Sequence, residues 1–259
     1  MKDESGRQSW NRRRPPDCLQ AVRVGCAGWS IPRDAARDFA TEGTHLERYA
    51  QVLNCCEINS SFYRSHRNTT WQRWRDSVPT EFRFSVKMPR TITHECALRH
   101  AAAEVSGFFS AIEALRPKLG AVLIQLPPSL EFSAGLVRAF FKSVPRLHGV
   151  RLVCEPRHAS WFTGTADALL ESLDVSRAAT DPSSFESATR PGGRCSFNYF
   201  RWHGSPRMYY SSYSDAQLQS LAASVQSARR TDTWCIFDNT ALYAAWDNAV
   251  SLMSRNKAG

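Results

Sequence analysis

The sequence predicts one α/β domain built as a (β/α)8 barrel. Short apolar runs rich in β-branched and aromatic residues alternate with segments of three-four periodicity along nearly the whole chain. Eight such strand-like runs can be counted. No G-x-G-x-x-G follows the first of them, which argues against an open, doubly wound dinucleotide-binding sheet. The length of 259 residues suits a barrel of this kind as a single domain.

The first strand is predicted at 21–25, followed by a helix over 45–53. The second strand spans 55–62 and its helix centres on 70–77. The third strand, 82–88, precedes a long helix over 101–115. The fourth strand covers 121–126 and its helix 134–143. The fifth strand, 150–155, leads to a helix at 166–173. A weak sixth strand lies at 177–180, and the segment after it, 183–193, has no clear helical period. The seventh strand is 197–202, with a helix over 215–228. The eighth is 234–237, with a helix over 244–255. Around this barrel of residues 19–253, residues 1–18 read as a disordered basic tail carrying Arg12-Arg13-Arg14-Pro15-Pro16, and 254–259 as a short polar end.

Hydrophobic residues make up 42% of the chain, enough for a sizeable core. The net charge is +9; the tail holds five cations and three acids, or +2, which leaves +7 for the rest. Such a surface favours anionic partners. No apolar leader opens the chain and no apolar run approaches the roughly 20 residues needed to span a bilayer. The eight cysteines show no C-x-x-C pair. Cys26, Cys56, Cys154 and Cys235 sit in apolar runs and read as small buried hydrophobes of a reducing, cytoplasmic protein, with Cys26 as a reactive thiol the alternative.

In such a barrel the site is built from strand ends and the loops after them. The strand ends here are polar: Cys26 to Trp29; Glu57, Asn59 and Tyr63; Lys87 and His94; Gln125; Glu155, Arg157, His158 and Trp161; Asp181; Arg201 and His203; Asp238 and Asn239. Strand side chains alternate, so Glu57 and Asn59 share one face, Glu155 and Arg157 another, Arg201 and His203 a third. With the apolar faces toward the helices, these charges point into the barrel mouth, where they must be paired or functional. Two readings stay open. Glu155 and Arg157 pair structurally with neighbours such as Arg201 or Lys87, or they serve a ligand; Trp29 and Trp161 are core residues, or they stack on one.

With those residues set out, the stretches GCAGW, EINSSFY, FSVKMPRTITH, LIQLPP, EPRHASW, FRWHG and FDNT, in this order over about residues 22 to 250, resemble the YecE-like family. That group is a domain of unknown function. The resemblance implies a TIM-type barrel, related in fold to sugar isomerases and the endonuclease IV group, and no settled activity. By motif match it points to Glu57, Asn59, Tyr63, Lys87, His94, Gln125, Glu155, Arg157, His158, Trp161, Arg201, His203 and Asn239. Cys26 and Ala27 replace small hydroxyl residues, Pro156 replaces an aromatic or aliphatic one, and Asp238 replaces Asn.

The expected function is acid–base chemistry on a small anionic substrate, phosphorylated or carboxylated. Glu57, Glu155, His158 and His203 are the expected catalytic groups. Trp29, Asn59, Tyr63, Lys87, His94, Gln125, Arg157, Trp161, Asp181, Arg201 and Asn239 are the expected substrate contacts, with Lys87, Arg157 and Arg201 clamping the anion. The alternative is weak binding of nucleic acid, through the basic tail and stacking on Trp29, Tyr63 and Trp161, or hydrolysis of its phosphodiesters. No cofactor and no metal are expected. Glu57, Glu155, Asp181 and Asp238 against Lys87, Arg157 and Arg201 give four minus three, a balance too near neutral for a metal cluster.

Overall fold

Parallel strands buried on both faces need to be short and almost wholly apolar, and each predicted run becomes such a strand in the computed structural model, which describes residues 22–32, 42–194, 196–227 and 232–257. The elements are β1 (Arg23–Ala27), α1 (His45–Tyr49), β2 (Cys55–Ile58), α2 (Asn68–Asp76), β3 (Arg83–Lys87), α3 (Ala102–Ile112), β4 (Leu119–Gln125), α4 (Ala134–Ser143), β5 (Arg151–Glu155), α5 (Gly164–Ser172), β6 (Val175–Arg177), β7 (Ala179–Asp181), β8 (Gly192–Gly193), β9 (Phe197–Trp202), α6 (Asp215–Ser227), β10 (Asp232–Phe237) and α7 (Ala244–Lys257). The predicted tail, 1–18, lies outside the described residues.

The sheet order is β7-β9-β10-β1-β2-β3-β4-β5-β6-β8. This is a nearly closed barrel of eight staves. The sixth stave is shared: β6 pairs with β5, while β7, one residue later, pairs with β9. Ala178 joins the two halves and donates its N–H to Cys154 O at 2.9 Å. The weak sixth run is thus the stave that closes the barrel by changing partner.

The segment after it forms no α-helix, as its lack of period predicts. Arg177 replaces the helix as its anchor. Its guanidinium bonds both oxygens of Asp167 (2.7 and 3.0 Å) and donates to the carbonyls of Ser187 (3.1 Å) and Arg190 (3.3 Å). The Gly192–Gly193 strand then runs antiparallel to β6.

Several boundaries differ from expectation, the first strand among them, which runs two residues later at Arg23–Ala27. The second strand stops at Ile58, and Ser60–Phe62 turns as a 3-10 helix. The Ser61 hydroxyl there bridges Ile58 O (2.9 Å) and Lys87 O (2.7 Å), tying the ends of two staves together. The fourth strand begins two residues early and passes its bulge at Gly120, where a Cβ would lie 2.7 Å from the Trp234 ring. Residues 254–257 continue α7 instead of forming a loose end.

The core is two-layered. Side chains such as Val24, Ile58, Phe84, Ile124 and Phe237 face the helices. The alternate residues, including Cys55, Leu123, Val153, Phe197, Tyr199, Trp234 and Ile236, fill the barrel. Continuing that inward parity by one step places Glu57, Gln125, Glu155, Arg201 and Asp238 above the filling. Among the described residues no helix is long and apolar enough to cross a membrane.

Candidate functional site

Arg201 is the centre of the mouth. It is fully buried, on a stave that delivers Tyr199 below it and His203 above it on the same face. Its Nη2 lies 2.7 Å from Glu57 Oε1 and 2.9 Å from Asp238 Oδ2, and its Nη1 lies 3.2 Å from Glu155 Oε2. Three carboxylates, from β2, from β5 and from the residue directly after β10, therefore share one guanidinium. Burial by itself would lower the Arg201 pKa, but Asp238, Glu57 and Glu155 raise it well above the ordinary value. In the same way burial would raise Glu155, yet Arg157 and Arg201 hold it well below the usual carboxylate range. Asp238 is likewise lowered: burial would raise it, but Arg201, His203 and Lys87 together outweigh burial.

Two further groups complete this floor. The Tyr199 hydroxyl donates to Glu57 Oε2 at 2.8 Å and meets Ser85 Oγ at 2.9 Å. His203 is buried between Arg157 Nη2, 2.8 Å from its Nε2, and Asp238 Oδ2, 3.1 Å from its Nδ1. A guanidinium has no acceptor, so in the Arg157 contact Nε2 accepts and Nδ1 donates to Asp238. Nε2 also faces Glu155 Oε1 at 3.5 Å, and Asp238 orients the imidazole. Arg157 also pairs with Glu155, its Nε left without a partner. Gln125 donates to Glu155 Oε1 (3.2 Å), and Asn59 donates to Asp238 Oδ1 (3.3 Å) while its own Oδ1 stays unpartnered.

Lys87 differs from these. It is 7% exposed at the end of β3, and its ammonium sits 4.2 Å from the centroid of the Phe62 ring. It makes no ion pair or hydrogen bond among the described residues. Burial, then Arg201, lower its pKa to about 8. His94 stacks edge-on against the same Phe62 at 5.0 Å, and burial followed by Lys87 lowers its pKa as well.

The structure therefore gathers Glu57, Asn59, Lys87, His94, Gln125, Glu155, Arg157, Arg201 and His203 at one mouth. Other expected residues lie elsewhere. Trp161 is fully buried and donates to Leu130 O (2.8 Å), so it is a core residue with no face to offer a ligand. Trp29 packs edge-on against Trp74 at 5.1 Å. His158 caps a 3-10 turn through Ser160 and stands beside Glu131, outside the charge network. Asn239 is buried and donates to Ser211 O and Asn248 Oδ1, both at 2.8 Å, which braces the loop after β10. Asp181 contributes its backbone oxygen to His203 N (2.7 Å) and Tyr213 Oη (2.9 Å); its Oδ1 is buried without a partner. Tyr63 is 73% exposed and borders a separate cavity of about 300 Å³ with His66, Pro89 and Phe108.

Asp238, a strand-end residue given no binding or catalytic role from sequence, belongs to the network, as do Tyr199 and Ser85, which were not singled out. The alternation would have found them: Trp234, Ile236 and Asp238 share a face, as do Tyr199, Arg201 and His203. Cys26 is buried, and burial pushes its thiol up to about 12, which favours the protonated form and disfavours the reading of a reactive thiol. Among the described residues no three His, Cys, Asp or Glu side chains are grouped to hold a metal.

The family model described as "Protein of unknown function DUF72" matches residues 23–258. The chain belongs to this family. The UPF0759 protein YecE of Escherichia coli K12 is 35% identical over 106 residues, which take in 41% of this chain and 38% of that protein. The chain is thus matched to about two fifths of the curated relative's length. Two solved DUF72 structures share the fold. The one from Enterococcus faecalis V583 superposes with a TM-score of 0.77 at 17% identity, covering 92% of this chain and 96% of that one. The one from Thermotoga maritima gives 0.76 at 22% identity, covering 91% and 99%.

Proposed function

We propose that this DUF72 protein is an enzyme that binds a small anion at the barrel mouth and moves a proton on it. The observation that carries this reading is Lys87. Arg201 and Arg157 take the direct contacts of the three carboxylates, so the Lys87 ammonium, whose charge balances the third carboxylate only at a distance, is left with no hydrogen-bond or ion-pair partner among the described residues. A buried ammonium has three N–H donors that need acceptors, and an anionic substrate group would supply them.

The rest of the site gives that anion chemistry. Arg157 has a free Nε and reaches His203 Nε2. If the incoming anion draws Arg157 to itself, Nε2 is released as a general base, while Asp238 keeps the imidazole in the tautomer that can accept a proton. Lys87 and Arg157 hold the substrate; Glu57, Tyr199 and Arg201 keep the floor rigid. The test is titration with inorganic phosphate and simple phosphorylated or carboxylated compounds. Affinity should fall as pH rises through about 8, where Lys87 loses its proton, and Lys87→Met should remove both the binding and its pH dependence. Binding that survives Lys87→Met would refute this reading.

A second reading, in which the ligand is single-stranded nucleic acid, is favoured by a different observation. Tyr63, Tyr209, Tyr210 and Tyr243 are the exposed aromatics among the described residues, and all lie on loops at the carboxyl ends of the strands. Tyr209 and Tyr243 hold left-handed backbone, φ 69° and 64°, which is uncommon for aromatic residues. Arg207 lies 4.0 Å over the Tyr210 ring. Such rings and cations suit base stacking beside a phosphate backbone.

A further inference from the structure

The opposite end of the barrel carries charge that the mouth does not use. A cleft of about 550 Å³ opens there between the end of α4, the loop into β5 and the end of α5. Lys142, Arg146, Arg151 and Arg194 line it with one acid, Asp174; four cations minus one carboxylate leave +3. The acid is already taken, since Asp174 pairs with Arg194. Arg146 is held by a main-chain carbonyl instead, donating to Leu173 O at 2.6 Å. That bond fixes the guanidinium without cancelling its charge. Arg151, half-buried at the start of β5, makes no hydrogen bond or ion pair among the described residues. His148 stands on the same rim.

We propose that this cleft binds the phosphate groups of a small phosphorylated molecule, at a second site separate from the mouth. Guanidinium forks match phosphate oxygens in pairs. The volume falls within the roughly 300–1,000 Å³ typical of small-ligand pockets. A nucleic-acid strand fits less well, because none of the exposed tyrosines lines this end and bases would have nothing to stack on. The inference does not depend on the reading of the mouth.

The experiment uses the full chain carrying Lys87→Met, which removes the cation that the reading of the mouth depends on, and titrates it calorimetrically with pyrophosphate at low salt. The expected result is saturable binding at one site per chain, weakened about tenfold or more when Arg146→Gln and Arg151→Gln are added. Thermal melting checks that each variant is folded; should Arg151→Gln fail, Lys142→Gln with Arg146→Gln replaces it, since both residues are exposed. No saturable binding in the Lys87→Met background would overturn the proposal, as would binding that ignores the cleft substitutions. A single-stranded oligonucleotide that displaces pyrophosphate and binds more tightly would overturn it too, by assigning the cleft to nucleic acid.

Discussion

Arg201 and Lys87 are both cations in one buried mouth, and they should respond to substitution in opposite directions. Arg201→Met leaves Glu57, Glu155 and Asp238 facing one another with their shared partner gone. Breaking a buried ion pair from one side costs about 3–5 kcal/mol, and urea unfolding should register a loss of at least that order. Lys87 has no such partner to abandon. Its pKa is lowered from 10.5 to about 8, so between these values the unfolded chain binds the extra proton and stability rises with pH. Below pH 8 both states are protonated and the full penalty is present. Lys87→Met should therefore stabilise the protein near neutrality, by up to about 3 kcal/mol, and flatten the rise between pH 8 and 10.5. A Lys87→Met protein less stable than its parent at pH 7 would show that the ammonium is structurally satisfied.

Among the elements, the sixth stave and the first are the least tolerant, for different reasons. The sixth connection depends on Arg177 and Asp167 rather than on a helix. Asp167→Ala should raise amide exchange across 183–193 while β9 and β10 stay protected; unchanged exchange would place the anchor elsewhere. In β1 a Cβ at Gly25 would lie 2.1 Å from the Cys55 carbonyl oxygen. That atom is backbone and cannot rotate away, so β1 and β2 would have to separate. Gly25→Ala should cost at least the roughly 1–3 kcal/mol of ordinary overpacking, read as a lowered denaturant midpoint.

Over the whole molecule, a net charge of +9 and a tyrosine rim make separable predictions for nucleic acid. Phosphate contacts set the salt slope, about 0.7 units per contact for single strands. Stacking sets affinity without changing the slope, at about 1–3 kcal/mol per base. Tyr63→Ala with Tyr243→Ala should thus weaken oligonucleotide binding at constant slope, whereas deleting residues 1–18 should flatten the slope. If the tyrosine variants bind as the parent does, the rim is not a stacking surface.

The barrel was legible in the sequence because its cause is local. Alternation of period two in the strands and three-four in the helices follows from backbone geometry, and eight alternations leave few other folds. The inward parity of Glu57, Glu155, Arg201 and His203 follows from the same period, and so did that of Asp238 and Tyr199 for anyone extending it. Which of those side chains meet is not local. Glu57, Glu155, Arg201 and Asp238 lie on or directly after four separate strands, and only closure of the sheet in one register brings the three acids onto one guanidinium. The same closure splits the sixth run between two neighbours, buries Trp161 behind Leu130, and turns His158 into a cap. Sequence by itself determined the fold and the side on which the polar residues stand. The tertiary structure decided that the three carboxylates turn to Arg201 and Arg157 and that the Lys87 ammonium has no direct partner, because ion pairing depends on distances of a few ångströms between residues far apart in the chain.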